Sequence, residues 1–209
     1  MNKELIIIGD GYQARLIQSI LNEKKIKLTG FYIFRKKNLL KKNKKYKFFK
    51  KISEIKKIQH KNLYLTVAVG DNILRKNIVD KFNKKLKKIR WYKIISENAL
   101  VSKNVSIGAG TTIMPSSIIN HNTRIGKHCI INTRSLIEHD NVFANFSSTG
   151  PGVITGGNVK VGKMSFIGIG SVVKNNIKIG YNSLIGAKSL IIKNCKPKST
   201  YYGSPAKKK

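Results

Sequence analysis

The chain has 209 residues, of which 42 are lysine or arginine and nine are aspartate or glutamate, giving a formal net charge of +33. This length is enough for two modest domains, each with its own hydrophobic core. The two cysteines are too few for a disulfide framework, and the apolar run Leu5–Ile8 is too short for a signal peptide or a membrane span. We therefore expect a soluble, cytoplasmic protein without a membrane partner.

The positive charge is spread along the whole chain, with 27 basic residues in 1–98 and 15 in 99–209. A charge of this size ordinarily suggests a polyanionic partner. Here the lysines occur beside many asparagines and isoleucines, the composition that A/T-rich codons produce. No run of aromatic residues alternates with the basic ones, as a single-strand binder would need. We expect no nucleic-acid partner, and a nucleic-acid-binding module remains an alternative that rests on charge alone.

Residues 1–96 predict a small α/β domain. The predicted elements, in chain order, are a strand at Leu5–Ile8, a turn at Gly9–Gly11, a helix at Tyr12–Asn22, strands at Leu28–Phe34 and Leu63–Val69, and a helix from Gly70–Asn72 to about Lys87. The apolar face of the first helix consists of Ala14, Ile17, Ile20 and Leu21. Residues 35–61 have little periodicity and predict a solvated connection with one short strand.

The first glycine turn is a candidate phosphate site. A strand, a glycine turn and a helix in succession can place a phosphate at the helix N-terminus, where free N–H groups and the helix dipole favour negative charge. Gly9 and Gly11 supply one such turn and Gly70 a second. Because a lone G-x-G is a weak signal, a tight turn without a ligand explains this motif equally well.

The strongest pattern is a series of sixteen positions, each six residues after the previous one. All are apolar and β-branched except one phenylalanine and two threonines. They are Val101, Ile107, Ile113, Ile119, Ile125, Ile131, Ile137, Phe143, Thr149, Thr155, Val161, Ile167, Val173, Ile179, Ile185 and Ile191. Neither a helix nor a flat strand keeps one face on a period of six. A three-sided coil does, and it buries its core only by stacking on its neighbours.

Residues 97–209 therefore predict a parallel β-prism of about five triangular coils, each about 18 residues long, with a short C-terminal tail. The steps at Thr149 and Thr155 are the least regular. We therefore expect Ser147–Gly157 to bulge out of the prism as a loop.

One short motif in the prism carries candidate chemistry. The two carboxylates that follow Glu97, Glu138 and Asp140, lie on either side of His139. Because residues 99–209 hold 15 basic residues, this placement of both acids beside an imidazole favours a functional role. A neighbouring carboxylate orients the ring and raises its basicity, as a general base working near neutral pH requires.

The 18-residue coil also predicts the neighbours of this histidine. Because Ile137 points inward, His139 lies on the outer face or at a corner of its coil. His121 lies one coil below it and Gly157 one coil above. A glycine there leaves room for a ligand against the prism beside the imidazole.

The hexad repeat resembles that of the hexapeptide-repeat acyltransferases, whose coils wind left-handed. Four segments make the resemblance more specific: Asn132-Thr133, Ile137–Asp140, Gly157–Val159 and Gly203–Lys207. They are similar to those of the bacterial sugar acetyltransferases of the sialic-acid O-acetyltransferase and UDP-4-amino-sugar N-acetyltransferase type. The implied fold class is an α/β Rossmann-like nucleotide-sugar-binding domain at 1–96, followed by a left-handed parallel β-helix at 97–209.

In that family the enzyme is a homotrimer, and acetyl-CoA lies in the groove between neighbouring prisms. The resemblance implies that His139 deprotonates the attacking amine or hydroxyl, that Asp140 orients His139, and that Asn132 helps to hold the acceptor. Attack on the thioester would be direct, without an acyl-enzyme, and no metal is expected. The resemblance also implies contacts to the donor from Gly157, Ile169 and Ala187, and contacts to the nucleotide of the acceptor from Gly9, Gly11, Gly70 and Asn72.

The sequence departs from the family pattern at three places. Tyr12-Gln13 stands where the glycine turn usually continues with Gly-His, and Phe34–Lys36 stands where one or two aspartates usually end the second strand. Ser148 stands where a second histidine commonly lies, nine residues after the catalytic one. The first two changes concern the nucleotide contacts, and the third concerns contacts near the thioester carbonyl.

N-acetylation of a nucleotide-linked 4-amino sugar is the first hypothesis, because the N-terminal domain offers a place for a nucleotide. O-acetylation of a sialic or other nonulosonic acid is the alternative, since both reactions need the same base and the same donor. A metalloenzyme of the γ-carbonic anhydrase kind is a remote alternative, suggested by His121, His128 and His139.

Overall fold

A computed structural model describes residues 3–23, 26–34, 45–58 and 62–209. The chain divides into two compact units, Met1–Ile94 and Ile95–Lys209. The first unit is α/β, and the second is a left-handed parallel β-helix. The fold class predicted from the sequence is therefore confirmed.

The first unit is built on a four-stranded sheet in which every neighbouring pair is parallel, with the order β3-β2-β1-β4. Its strands are β1 (Glu4–Ile8), β2 (Lys27–Tyr32), β3 (Lys47–Phe49) and β4 (Leu63–Val67). Its helices are α1 (Tyr12–Glu23), α2 (Ile52–Lys57) and α3 (Asn72–Lys85). The four apolar residues predicted to form the inner face of α1 are all buried. Strands β2 and β4 and helix α3 each end two residues before the predicted position.

Helix α2 corrects the prediction of an irregular connection over residues 35–61. Ile52 and Ile55 lie one turn apart and are both buried, which is the short apolar stripe that a one-and-a-half-turn helix needs. The carboxylate of Glu54 accepts hydrogen bonds from the backbone N–H groups of Lys50 and Lys51 and so satisfies the start of the helix. Strand β3 is the one short strand predicted in this connection, so that part of the prediction is confirmed. The parts at 35–44 and 59–61 lie outside the described residues.

The second unit repeats a two-residue strand every six residues. The strands are β5 (Ile94–Ile95), β6 (Leu100–Val101), β7 (Ser106–Ile107), β8 (Thr112–Ile113), β9 (Ile118–Ile119), β10 (Arg124–Ile125), β11 (Ile130–Ile131), β12 (Leu136–Ile137), β13 (Val142–Phe143), β14 (Ser148–Thr149), β15 (Ile154–Thr155), β16 (Lys160–Val161), β17 (Phe166–Ile167), β18 (Val172–Val173), β19 (Lys178–Ile179), β20 (Leu184–Ile185) and β21 (Leu190–Ile191). A hairpin of β22 (Thr200–Gly203) and β23 (Ala206–Lys208) follows.

Successive strands belong to three different sheets, so each four-residue turn between them is a corner of the prism. Each strand pairs in parallel with the strand 18 residues away, as Leu136 does with Ile118 and Ile154. Many corners contain a non-glycine residue in the left-handed region, among them Asn122, Asp140 and Asn158. Asparagine and aspartate tolerate this conformation best, which explains a column of them along one corner.

The predicted bulge at Ser147–Gly157 is not present. Strands β14 and β15 stay in register with the coils next to them. Thr149 and Thr155 point inward and are buried. Threonine has nearly the shape of valine, and the Thr149 hydroxyl accepts a 2.9 Å hydrogen bond from the backbone N–H of Asn132. The satisfied hydroxyl of Thr149 removes most of the cost of that polar atom in the core. Thr155 Oγ1 has no hydrogen-bond partner among the described residues, so its place in the coil rests on its valine-like shape and its strand pairing.

Candidate active site

His139 and Asp140 lie together in the corner between β12 and β13. Each side chain is about half exposed, at 47% and 48% of its maximum. His139 Nδ1 lies 2.7 Å from Asp140 Oδ2. A carboxylate in this position holds the proton on Nδ1 and leaves the lone pair of Nε2 free to accept a proton from a substrate.

The carboxylate is well stabilised in its ionised form. The hydrogen bond from His139 lowers the pKa of Asp140 below its ordinary value, and a hydrogen bond from the side chain of Asn122 and the nearby imidazoles lower it further. Asp140 therefore stays negatively charged throughout the neutral range. It is positioned to orient the imidazole and not to exchange protons itself.

The imidazole of His139 is enclosed above and below by its neighbours in the stack of coils. The ring of His121 lies parallel to it, with the centroids 5.3 Å apart and an angle of 9° between the planes. On the other side, a Cβ atom on Gly157 would come within 2.6 Å of Cε1 of His139, so glycine is needed there. The structure thus places both residues where the 18-residue period predicted them.

Asn141 is a positioning residue that the sequence analysis missed. Its side chain is completely buried, and Nδ2 lies within hydrogen-bonding distance of three carbonyl oxygens, those of Glu138 (2.6 Å), Gly156 (2.9 Å) and His139 (3.1 Å). These bonds tie the turn that carries the imidazole to the turn above it. The signal was present in the sequence, because Asn141 interrupts a column of small and β-branched residues directly after the Glu-His-Asp motif.

The structure separates the predicted donor and acceptor residues of the prism into two groups. Gly157 shares the corner of His139, whereas Asn132, Ile169 and Ala187 follow strands of the eight-stranded sheet and lie at the previous corner. Within one chain, a strand of the six-stranded sheet separates the two corners. The side-chain oxygen of Asn132 also accepts a hydrogen bond from the backbone N–H of Thr133.

The possible metal ligands at the corner of His139 are not arranged to bind a metal ion. His121, His139 and Asp140 each bring one possible ligand atom to within 4.8 Å of the others. The two imidazoles are stacked in parallel planes, however, so their in-plane lone pairs do not converge on one point as a tetrahedral zinc site requires. His128 lies at another corner, buried against the ring of Phe146.

A cavity of about 190 Å³ lies at the glycine turn of the first unit. It is lined by Gly9, Asp10, Gly11, Tyr12, Gln13, Phe34, Ala68, Val69, Gly70 and Asp71. Three of the four predicted nucleotide contacts therefore line one cavity, with Gly9 and Gly11 before α1 and Gly70 before α3. The fourth, Asn72, is buried outside the cavity lining, and its side-chain oxygen accepts a 2.6 Å hydrogen bond from Arg75.

Arg75 was not identified from the sequence, and it holds one wall of this cavity in place. It is 1% exposed, and its Nη1 donates hydrogen bonds to the carbonyls of Val69 (2.9 Å) and Gly70 (2.8 Å). The guanidinium thus donates the hydrogen bonds that a neighbouring strand would otherwise supply, at the point where the chain turns from β4 into α3. A single arginine among so many basic residues gave no sequence signal of its own.

A larger cavity of about 470 Å³ lies elsewhere in the first unit. Uncharged residues and five lysines line it. The lysines are Lys50, Lys51, Lys56, Lys81 and Lys85. Its charge favours anions.

Neither cysteine is available as a nucleophile. Cys129 is fully buried in the core of the prism, with Sγ 3.2 Å from the carbonyl of Ala144. Burial raises the pKa of Cys195 to about 11, so its thiol stays protonated at neutral pH.

Comparison with known proteins accounts for both units. The profile of the PglD N-terminal domain matches residues 4–82, and that of the bacterial transferase hexapeptide (six repeats) matches residues 104–139. No curated protein matches the sequence.

Solved structures match over almost the entire chain. A histidine-to-alanine variant of GDP-perosamine N-acetyltransferase from Caulobacter crescentus, in complex with CoA and GDP-perosamine, has 25% identity and a TM-score of 0.88, covering 99% of this chain and 96% of that one. The chain is a hexapeptide-repeat sugar acetyltransferase. Two structures with lower identity share its fold. The acetyltransferase domain of PglB from Neisseria gonorrhoeae, in complex with acetyl coenzyme A, has 22% identity and a TM-score of 0.89, covering 100% of both chains. WeeI from Acinetobacter baumannii has 19% identity and a TM-score of 0.85, covering 99% and 100%.

Within the described part of this acetyltransferase, none of the helices combines the length and the apolar character needed to cross a bilayer.

Replacing Asn141 with alanine is expected to destabilise the prism. The partly buried carbonyls of Glu138, His139 and Gly156 would lose a shared donor, at a cost of about 1 kcal/mol. The loss is incomplete, because Glu138 keeps the bond from the Thr123 hydroxyl and His139 keeps the bond from the Asn158 N–H. The measurement is the urea midpoint of the enzyme, followed by circular dichroism. Asn104→Ala is the matched control, because its exposed amide donates a hydrogen bond to Asn122 across one coil and its backbone is not in the left-handed region. Equal midpoints for the two variants would contradict the role assigned to Asn141.

Proposed function

We propose that the enzyme transfers the acetyl group of acetyl-CoA to the amino group of a nucleotide-linked 4-amino sugar. The observation that carries the proposal is the half-exposed imidazole of His139, held by Asp140 with Nε2 free, in a prism of this family. The GDP-perosamine N-acetyltransferase of similar structure was solved with CoA and GDP-perosamine bound, which supports both substrate classes.

In the proposed reaction, Nε2 of His139 accepts a proton from the amine as its nitrogen attacks the thioester carbonyl. A C–N bond forms, the carbonyl oxygen becomes an oxyanion, and backbone N–H groups of a neighbouring coil stabilise it. The C–S bond then breaks, and the CoA thiolate leaves and takes up the proton from His139. Because both thiols are buried, an acyl-cysteine intermediate has no support, and attack is direct.

The proposal includes a homotrimer, and one face of the prism supports it. The outward residues of the six-stranded sheet are all apolar: Leu100, Ile118, Leu136, Ile154, Val172 and Leu190. We call them the apolar face. The corresponding positions of the five-stranded sheet include Arg124, Lys160 and Lys178. In a chain of charge +33, six adjacent apolar residues on a flat surface favour contact with another protein surface.

A second copy of the chain is the occupant that explains the division of the site. The apolar face lies between the corner of His139 and Gly157 and the corner of Asn132, Ile169 and Ala187. Packing between prisms would bring the corner of His139 and Gly157 in one chain against the corner of Asn132, Ile169 and Ala187 in its neighbour. The groove formed in this way would contain every residue predicted to bind acetyl-CoA.

The proposed place of the nucleotide is the cavity at the first glycine turn. The free N–H groups at the start of α1 suit a phosphate, and the exposed aromatic rings of Tyr12 and Phe34 suit stacking on a base. This cavity favours a nucleotide-linked acceptor. O-acetylation of a free nonulosonic acid uses the same base and donor but gives the cavity no role.

The central test is release of the CoA thiol from acetyl-CoA in the presence of UDP-, dTDP- or GDP-linked 4-amino sugars or free sialic acids. We expect turnover with a nucleotide-linked amine and a decrease of about 10²- to 10⁴-fold in His139→Ala, because the base is lost. Full activity of His139→Ala would refute the mechanism. Turnover of sialic acids alone would establish the O-acetylation alternative.

Replacing Asp140 with asparagine is expected to change the pH dependence. The pKa of Asp140 lies below its ordinary value, so the carboxylate stays ionised from pH 5 upward and favours the protonated imidazole. The neutral amide removes this attraction, so the midpoint of the acid limb of kcat/KM should move to lower pH, while kcat falls at least about 10-fold because the ring is no longer oriented. A shift to higher pH would contradict this.

Gly11→Val is expected to raise the KM for the nucleotide sugar about 10-fold or more and to leave the KM for acetyl-CoA within about 2-fold. A side chain at Gly11 projects into open space, so the fold is preserved while the cavity is filled. Gly9→Ala shows the effect of a disturbed fold for comparison. Its Cβ would lie 2.8 Å from the carbonyl oxygen of Ala68, at a φ of +119°. Equal increases in both KM values for Gly11→Val would argue against a separate nucleotide site.

Ile154→Arg is expected to disrupt the trimer, because it places a charge in the middle of the apolar face. Light scattering should give the mass of three chains for the wild type and of one chain for the variant, with loss of activity. Lys178→Glu, on the five-stranded sheet, is the control and should leave the mass unchanged. A monomeric wild-type enzyme with full activity would refute the shared groove.

A further inference from the structure

We propose that His121 is a positioning residue, which fixes the plane of the His139 imidazole. The proposal rests on the function proposed above, in which His139 is the base. His121 itself is given no contact with either substrate.

The geometry of the stack carries the proposal. The ring of His121 covers one face of the His139 ring at 5.3 Å and 9°, and the backbone of Gly157 closes off the other face. Asp140 then restrains rotation within the remaining plane through Nδ1. A side chain that is 47% exposed would otherwise sample several rotamers, and ordering it before the substrate arrives lowers the barrier.

Three variants test whether the flat ring is what matters. His121→Ala removes the ring, His121→Phe keeps a flat ring without the nitrogens, and His121→Gln keeps a polar side chain without the ring. Asn175→Ala is the matched control, because it lies in the same column two coils above His139 and its side chain is exposed. For each, kcat and KM are measured from pH 5.5 to 9 in the thiol-release assay.

We expect His121→Ala to lower kcat about 10-fold without changing the KM for acetyl-CoA, and His121→Phe to recover kcat to within about 3-fold of the wild type. His121→Gln, which has no ring, should lower kcat as His121→Ala does. The control should match the wild type. The proposal is overturned if kcat is unchanged in all three variants, or if His121→Phe is no better than His121→Ala.

A readout independent of activity is the tautomer of His139, measured by NMR on ¹⁵N-histidine-labelled enzyme. The share of the Nδ1–H form should fall in His121→Ala and be retained in His121→Phe; an unchanged share in His121→Ala would overturn the proposal. His139→Ala separates the two levels of inference. If it keeps full activity, the proposed base is wrong. If it is inactive while the His121 variants behave as the wild type, only the role of His121 is wrong.

Discussion

The parallel pairing of each short strand with the strand 18 residues away fixes the position of every other group in the prism. Backbone hydrogen bonds between coils set the vertical spacing at about 4.8 Å, which allows rings in the same column to stack. A side chain at a corner therefore touches the residues 18 before and 18 after it. For His139 these neighbours are a second imidazole and a glycine, so the repeat itself forms the walls around the ring.

A prism of this kind offers little concave surface, because its sides are flat and its corners are narrow. The imidazole is correspondingly half exposed, and the residues expected to bind the donor lie at two different corners. The surface between those corners is apolar although the chain is strongly basic. We therefore infer that association of prisms, rather than a fold within one chain, creates the groove for acetyl-CoA.

The two units hold their functional turns by different means. In the prism, the buried amide of Asn141 ties the turn of His139 to the turn above it. In the first unit, the buried guanidinium of Arg75 holds the turn that includes Gly70. Each is a buried polar side chain bonded to several backbone carbonyls, which exposed turns would otherwise leave to water.

The sequence by itself determined the three-sided coil, the inward residues and the neighbours of His139, because a period of six and a coil of 18 follow from counting along the chain. It also located the first glycine turn, now found at a cavity. Only the tertiary structure decided that Thr149 and Thr155 stay in register, that α2 forms, and that Asn72 pairs with Arg75. It alone revealed the three carbonyl contacts of Asn141 and the division of the donor residues between two corners. These features depend on the directions of side chains and on partners from other turns, which periodicity does not specify.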